Sequence, residues 1–220
     1  MELKLRLTDD GSHTLYRKDI DENYHSTHGA VQESEHVFIK NGLNYCHKAL
    51  FKNHISILEV GFGTGLNCFL SYLYAKNNKV RINYSGLEIN PLNDSIISQL
   101  NYCSNNQEQL IFNNIHQFEW GKWGSVSDFF KIKKISSSLQ TCKFENKFDL
   151  VYFDAFGPRV EHQLWNKKWY SKIKNFLNDD SALVTYCAKG SVRRDLISIG
   201  YNVERLEGPK GKREMLRAST

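Results

Sequence analysis

Ile57-Leu58-Glu59-Val60-Gly61-Phe62-Gly63-Thr64-Gly65-Leu66-Asn67 decides how this chain is read. The apolar run 55–60 has the length and content of a buried strand. It breaks into three alternating glycines, and an apolar segment of helical length follows over 66–76. Glycine is needed where a backbone turns sharply off a strand and lets a ligand approach, because a Cβ would block the one or forbid the other. The helix that follows turns its unpaired N–H groups toward the crevice. The stretch predicts a site of the nucleotide-binding type.

Spacing narrows the ligand. The dinucleotide pattern G-x-G-x-x-G fails at its third glycine, which is Leu66 here. The chain gives E-x-G-x-G-x-G, with Glu59 ahead of Gly61, Gly63 and Gly65. An acid there suits a ligand with positive charge near the turn, such as the amino acid end of S-adenosylmethionine, better than a pyrophosphate. Residues 81–88 read as a second strand ending in Glu88. That is the offset, roughly 20 residues, at which an acid meets ribose hydroxyls in such folds.

Working outward, the first fifty-odd residues predict a lid or brace (1–53): a β-hairpin over 3–16, a polar aromatic loop over 24–30, and a helix over 31–50 interrupted near Asn41-Gly42. Residues 54–220 alternate: strand 55–60, helix 66–76, strand 81–88, helix 93–103, strand 108–113, strand 148–154, helix 163–176, strand 182–186 and helix 192–199. Between the third and fourth strands lies a long insertion, 117–146, with an expected helix over 126–139. Residues 178–180 are expected to form the turn into strand 182–186. Strands alternating with helices mean an α/β fold with a mostly parallel sheet. The tail (201–206, a Gly208-Pro209-Lys210-Gly211 turn, then 213–218) reads as an antiparallel hairpin closing that sheet, the layout of Rossmann-like class I methyltransferases.

Composition leaves room for one cored domain with an appendage: 220 residues, 40% hydrophobic and 24% charged. Five cysteines without a C-x-x-C pair predict reduced thiols and a cytoplasmic protein. The eight histidines lack metal-ligand spacing, so no metal is expected. No apolar run is long enough for a bilayer, and the N-terminus lacks a signal-peptide core, so no membrane association is expected. The net charge of +5 is compatible with nucleic acid without demanding it. Basic residues crowd 167–174 and the C-terminal part, as a solvated face or as a rim that tracks phosphates.

Residues 150–158 read as a strand emptying into Asp154. Ligands of open α/β sheets bind at the carboxyl ends of the strands, so Glu59, Glu88 and Asp154 are expected to converge there. An aspartate with pKa near 3.9 is a poor proton acceptor from an ammonium unless burial raises it. Asp154 is therefore expected to orient a target amine and stabilise the ammonium that develops. Phe156 supplies an apolar wall, while Tyr152 and Trp165 suit the core better.

Four blocks together resemble a family: residues 24–38 (YHSTHGAVQESEHVF), 59–67 (EVGFGTGLN), 153–158 (FDAFGP) with Trp165, and 185–194 (TYCAKGSVRR) with 211–217 (GKREMLR). The chain resembles the stand-alone tRNA 5-methylaminomethyl-2-thiouridine methyltransferases, which are similar to the methyltransferase half of a bifunctional bacterial enzyme. The resemblance implies S-adenosylmethionine-dependent methylation of the 5-aminomethyl group of a modified uridine at the tRNA wobble position. It gives Glu59, Gly61, Gly63, Gly65 and Glu88 to the donor and Asp154 to the amine. Tyr24, Ser26 and Glu33 border the pocket. Lys189, Arg193, Arg194, Lys212 and Arg213 are assigned to the anticodon stem-loop, with an Arg193–Glu214 salt link as the competing role. Asn113-Asn114 stand where the family carries Gly-Asp after its third strand, so an adenine contact would fall to the amide of Asn114. The proline before the tryptophan is also missing. No FAD domain follows, so a preceding oxidative step would belong to a separate wobble-uridine enzyme. Small-molecule amine methyltransferases and spermidine-synthase-like aminopropyltransferases share this sheet and acid, and a non-catalytic tRNA-binding module is a further alternative.

Overall fold

The computed structural model describes residues 2–220; Met1 lies outside the described residues. Strands β1 (Leu3–Leu7), β2 (His13–Arg17) and β3 (Glu22–Asn23) form a small antiparallel sheet. Helix α1 follows as Ala30–Ser34 and continues in wide π-type turns over Glu35–Leu43 and Tyr45–Ala49. The expected break at Asn41-Gly42 is absent. Gly42 is there for proximity: a Cβ on it would lie 2.9 Å from Val184 Cγ2 and 3.3 Å from Tyr152 Cε1. The glycine lets α1 press against the sheet.

The main sheet is built from β4 (His54–Val60), β5 (Arg81–Glu88), β6 (Trp123–Ser127), β7 (Phe130–Ser136), β8 (Phe148–Phe153), β9 (Leu177–Thr185), β10 (Asn202–Glu207) and β11 (Glu214–Ser219). Its order is β6-β7-β5-β4-β8-β9-β11-β10, with β7, β5, β4, β8 and β9 parallel and antiparallel pairs at both ends. Alternation along the strands sends Ile57, Leu150, Tyr152 and Val184 to one face, where they pack with Phe38 of α1, Phe69 of α2 (Leu66–Asn78) and Phe112 of α4 (Asn106–Gln117). Leu58, Val151, Phe153 and Leu183 go to the other face, against Ile173 of α5 (Lys167–Lys174) and Leu196 of α6 (Gly190–Ser198). The result is three layers with both sheet faces buried.

Several expected elements differ. Residues 108–113 are not a strand but the middle of α4. Asn105 caps it, accepting from Glu108 N at 3.0 Å, while Glu108 Oε2 accepts from Ser104 N at 2.7 Å. The expected helix over 126–139 is the β6–β7 hairpin. Phe130, Ile132 and Lys134 alternate inward, and the buried Lys134 hides the pattern. Its ammonium donates to His116 O and lies 5.0 Å from the Trp120 ring centroid, and burial lowers its pKa to about 8. The helix expected over 93–103 shrinks to α3 (Asp94–Ile97), and α5 begins only at Lys167. Residues 178–180 belong to β9, whose pairing with β8 shifts register between Phe148 and Leu150.

Candidate active site

Register places the site. Val60 pairs with Leu87 and with Phe153, and Glu88 pairs with Ser136, so β4, β5, β7 and β8 end together. A cavity of about 620 Å³ opens at that rim. Gly61, Gly63, Glu88, Asp154, Phe156 and Lys212 line it, with Tyr24, Ser26 and Glu33 from the N-terminal segment. Glu59 and Gly65, also expected at the site, are not among the lining residues. Tyr152 and Trp165 are core residues.

The glycine turn leaves no room for side chains. Gly61 has φ +95°, and a Cβ there would stand 2.7 Å from Asp154 O. Gly63 N donates to Glu88 Oε2 at 2.9 Å, and Glu88 Oε1 accepts from Asn90 N at 2.8 Å. The second strand's carboxylate is thus pinned beside the turn, facing the cavity.

Asn67, in the first turn of α2, organises the acids. Its amide Nδ2 donates to Glu59 Oε1 at 2.9 Å and to Asp154 Oδ2 at 2.7 Å. Glu59 is fully buried beside the Tyr84 hydroxyl, and Asn67 Oδ1 has no hydrogen-bond partner. Burial first, then the nearby Asp154 charge, pushes the Glu59 carboxyl well above the usual range. Burial and then Glu33 do the same to Asp154, against the pull of Asn67 and Lys212. An aspartate raised in this way is able to accept a proton as well as orient an amine.

Other residues sit where sequence did not put them. Asn114 is on α4 and does not line the cavity, because the third parallel strand is β7 and not 108–113. The residues that leave that strand into the cavity are Ser137, Ser138, Leu139 and Gln140. Lys212 points inward: its ammonium pairs with Glu33 and lies 4.0 Å from the Tyr186 ring centroid. Glu214 pairs with Arg205 at 3.5 Å, so the Arg193–Glu214 link does not form. Lys189, Arg194 and Arg213 are exposed outside the cavity, and Arg193 is half-buried with Nε unpaired. Within the 167–174 cluster, Lys172 donates to the carbonyls of Leu139, Gln140 and Cys142, and Lys174 to those of Ile199 and Gly200. Those two charges tie loops together and face no phosphate.

Asn67 and residues 137–140 escaped the sequence reading, as did His25, Tyr186 and Glu161. His25 is held against Thr64 Oγ1 at 2.8 Å, and burial lowers its pKa to about 4. Tyr186 donates to Ala155 O at 2.9 Å. Glu161, raised to about 7 by burial and by Glu88, stands in the stretch that departs from the family pattern after Pro158. That departure was the one available signal. Among the described residues, no group of three or more His, Cys, Asp or Glu side chains is placed to hold a metal ion.

Residues 127–220 match the family described as S-adenosyl-L-methionine-dependent methyltransferase. The chain is 30% identical over 223 residues to the tRNA 5-methylaminomethyl-2-thiouridine biosynthesis bifunctional protein MnmC of Leptospira interrogans, covering 94% of this chain and 34% of that protein. The MnmC of Leptospira borgpetersenii is 28% identical, with 89% and 32% covered. The chain therefore spans about a third of the length of these relatives. The crystal structure of MnmC2 from Aquifex aeolicus superposes with a TM-score of 0.80 at 27% identity, over 99% of this chain and 70% of that one. Streptomyces venezuelae DesVI shares the fold alone, with a TM-score of 0.50 at 10% identity. With this sheet order and this glycine turn, the chain is similar over nearly its whole length to part of MnmC and to MnmC2, and residues 127–220 carry the S-adenosyl-L-methionine-dependent methyltransferase match.

Proposed function

We propose that the protein methylates the primary amine of 5-aminomethyl-2-thiouridine at the wobble position of tRNA, giving the 5-methylaminomethyl form. The observation that carries this reading is Asp154 at the cavity wall, clamped by Asn67 and raised by burial, next to the glycine turn.

The residues suit the donor. The turn at Gly61 and Gly63 is a cradle that side chains would fill, Glu88 faces it with a fixed carboxylate, and Asn67, which lines the cavity, has a buried Oδ1 acceptor without a partner. A cationic amino acid with a ribose diol matches that set. When bound, S-adenosylmethionine supplies an electrophilic methyl group on a sulfonium. Gly61, Gly63 and Asn67, the last held by Glu59, would bind its amino acid end, Glu88 the ribose, and residues 137–140 the base.

The chain's own part is to handle the amine. An alkylamine with a pKa around 10.4 arrives as an ammonium and must lose a proton before its lone pair is free. Asp154 Oδ is the acceptor within the cavity, and Asn67 fixes its orientation. Phe156, 5.1 Å edge-on from Tyr24, forms an apolar wall that keeps water from the amine. Four exposed cations, Lys189, Arg194, Lys210 and Arg213, form no ion pair among the described residues and would meet the anticodon-stem phosphates. A separate oxidative enzyme would supply the aminomethyl group, in the cytoplasm. Incubating the protein with S-adenosylmethionine and tRNA, with polyamines as competitors, tests the reading. Methyl on the wobble nucleoside supports it; methyl or aminopropyl transfer confined to polyamines overturns it.

A further inference from the structure

Two cationic side chains line the acidic cavity, Arg17 and Lys212. Arg17 is spoken for at the rim, with Nη2 2.6 Å from Asp19 Oδ2. Lys212 is different, because it comes from the turn joining β10 and β11 and sends its ammonium into the cavity. There it meets Glu33 Oε1 and the face of Tyr186. The Tyr186 ring is fixed by its hydroxyl on Ala155 O, and Glu33 by the amide of Ser26, 2.8 Å from Oε2. Asp154 lines the same cavity, with no ion pair to Lys212 among the described residues. Among the described residues the Lys212 ammonium has no further hydrogen-bond partner, so two of its three protons are free. A carboxylate in contact with one –NH3+ and an aromatic face beside it make a cation site, on the cavity that Asp154 also lines.

We propose that Glu33, the face of Tyr186 and Asp154 are the binding subsite for the target ammonium, and that Lys212 is its resident occupant, displaced when the aminomethyl group enters. This deepens the function proposed above and rests on it. The two cations are the same chemical group, a –CH2–NH3+ on a stem. Exchanging one for the other leaves Glu33, whose side chain is only 8% exposed, paired throughout; without a replacement its buried charge would be stranded. A withdrawn Lys212 returns to a turn whose neighbours Lys210 and Arg213 are already exposed, so its charge is not buried elsewhere. Once seated, the ammonium gives its proton to the Asp154 carboxylate, leaving a neutral amine and a protonated Asp154.

The test is calorimetry of free 5-aminomethyluridine, and of uridine as its amine-free control, on wild type, Lys212→Met and Glu33→Gln. Met keeps the apolar stem and removes the competing cation. If Lys212 fills the subsite most of the time, its removal tightens 5-aminomethyluridine by about tenfold and leaves uridine unchanged. Glu33→Gln should weaken the aminomethyl compound alone and cancel the gain in the double variant. Should Lys212→Met not fold, Lys212→Gln is read by the same criteria. The proposal is overturned if the aminomethyl compound binds no tighter, or if uridine gains equally. It is also overturned if S-adenosylmethionine affinity collapses with no gain for the amine, which would put Lys212 on the donor's carboxylate. Methyl transfer by wild type to tRNA is scored separately, so failure of the parent reading shows as no transfer whatever the nucleoside affinities.

Discussion

Asn67 is a small residue with a large share of the site's order. One amide group holds carboxyls from two different strands, 2.9 Å and 2.7 Å away, and both of those acids are raised by burial. Removing the acid it aims should separate binding from chemistry. Asp154→Ala is expected to lower methyl transfer by at least about a hundredfold, the scale of a lost general base, while donor affinity by calorimetry stays near wild type. Activity within about tenfold of wild type would show that the role is wrong. Glu161 offers a second reading at this scale. Its carboxyl titrates near 7 when folded and near its ordinary value of 4.5 when unfolded. Between those values the unfolded chain gives up the proton and the fold retains it, so this group's contribution to stability declines as pH rises from about 4.5 to about 7. Glu161→Gln should remove that decline, read as the difference between the two melting curves' pH dependences. Identical slopes would mean that Glu161 is solvated.

At the scale of elements, helix α1 and the β6–β7 hairpin show what a single sequence gives up and what it keeps. The strand 55–60, the glycine turn, the helix after it and strand 81–88 were legible because apolar period and punctuation agree there. The interrupted helix at Gly42 was misread because a glycine that admits a neighbour looks the same as one that breaks a helix. Gly42→Ala should test that. Alanine gains about 1 kcal/mol of helix propensity, but the added methyl overpacks against Val184 and Tyr152 at a cost of about 1–3 kcal/mol. The expected net result is a lower melting temperature, and a rise would mean that α1 has slack. Residues 108–113 show the reverse failure. Leu110, Ile111 and Phe112 form a short apolar run that reads as a strand, and only the Asn105–Glu108 cap marks it as helix. That one error carried the adenine contact to Asn114, and buried Lys134 concealed the true third strand.

Across the whole molecule, charge divides into two populations. Lys52, Lys172, Lys174 and Arg217 are engaged internally, with Asp149, loop carbonyls and Glu204. Lys189, Arg194, Lys210 and Arg213 are left exposed. Sequence reveals a basic C-terminal part but not which cations are already committed, since pairing is a property of the folded surface. Replacing Arg194, Lys210 and Arg213 together should weaken tRNA binding and reduce the salt slope by roughly one counterion per lost phosphate contact. An unchanged slope would return this face to ordinary solvation. In the proposed function the rim of this sheet delivers a methyl group to an amine on RNA. That function is tested most directly by nucleoside mass spectrometry of tRNA bearing 5-aminomethyl-2-thiouridine after incubation with the protein and labelled S-adenosylmethionine. The wobble nucleoside is expected to gain one labelled methyl group on its amine, and Asp154→Ala to lose it. Label absent from that nucleoside, or present equally with Asp154→Ala, would contradict it.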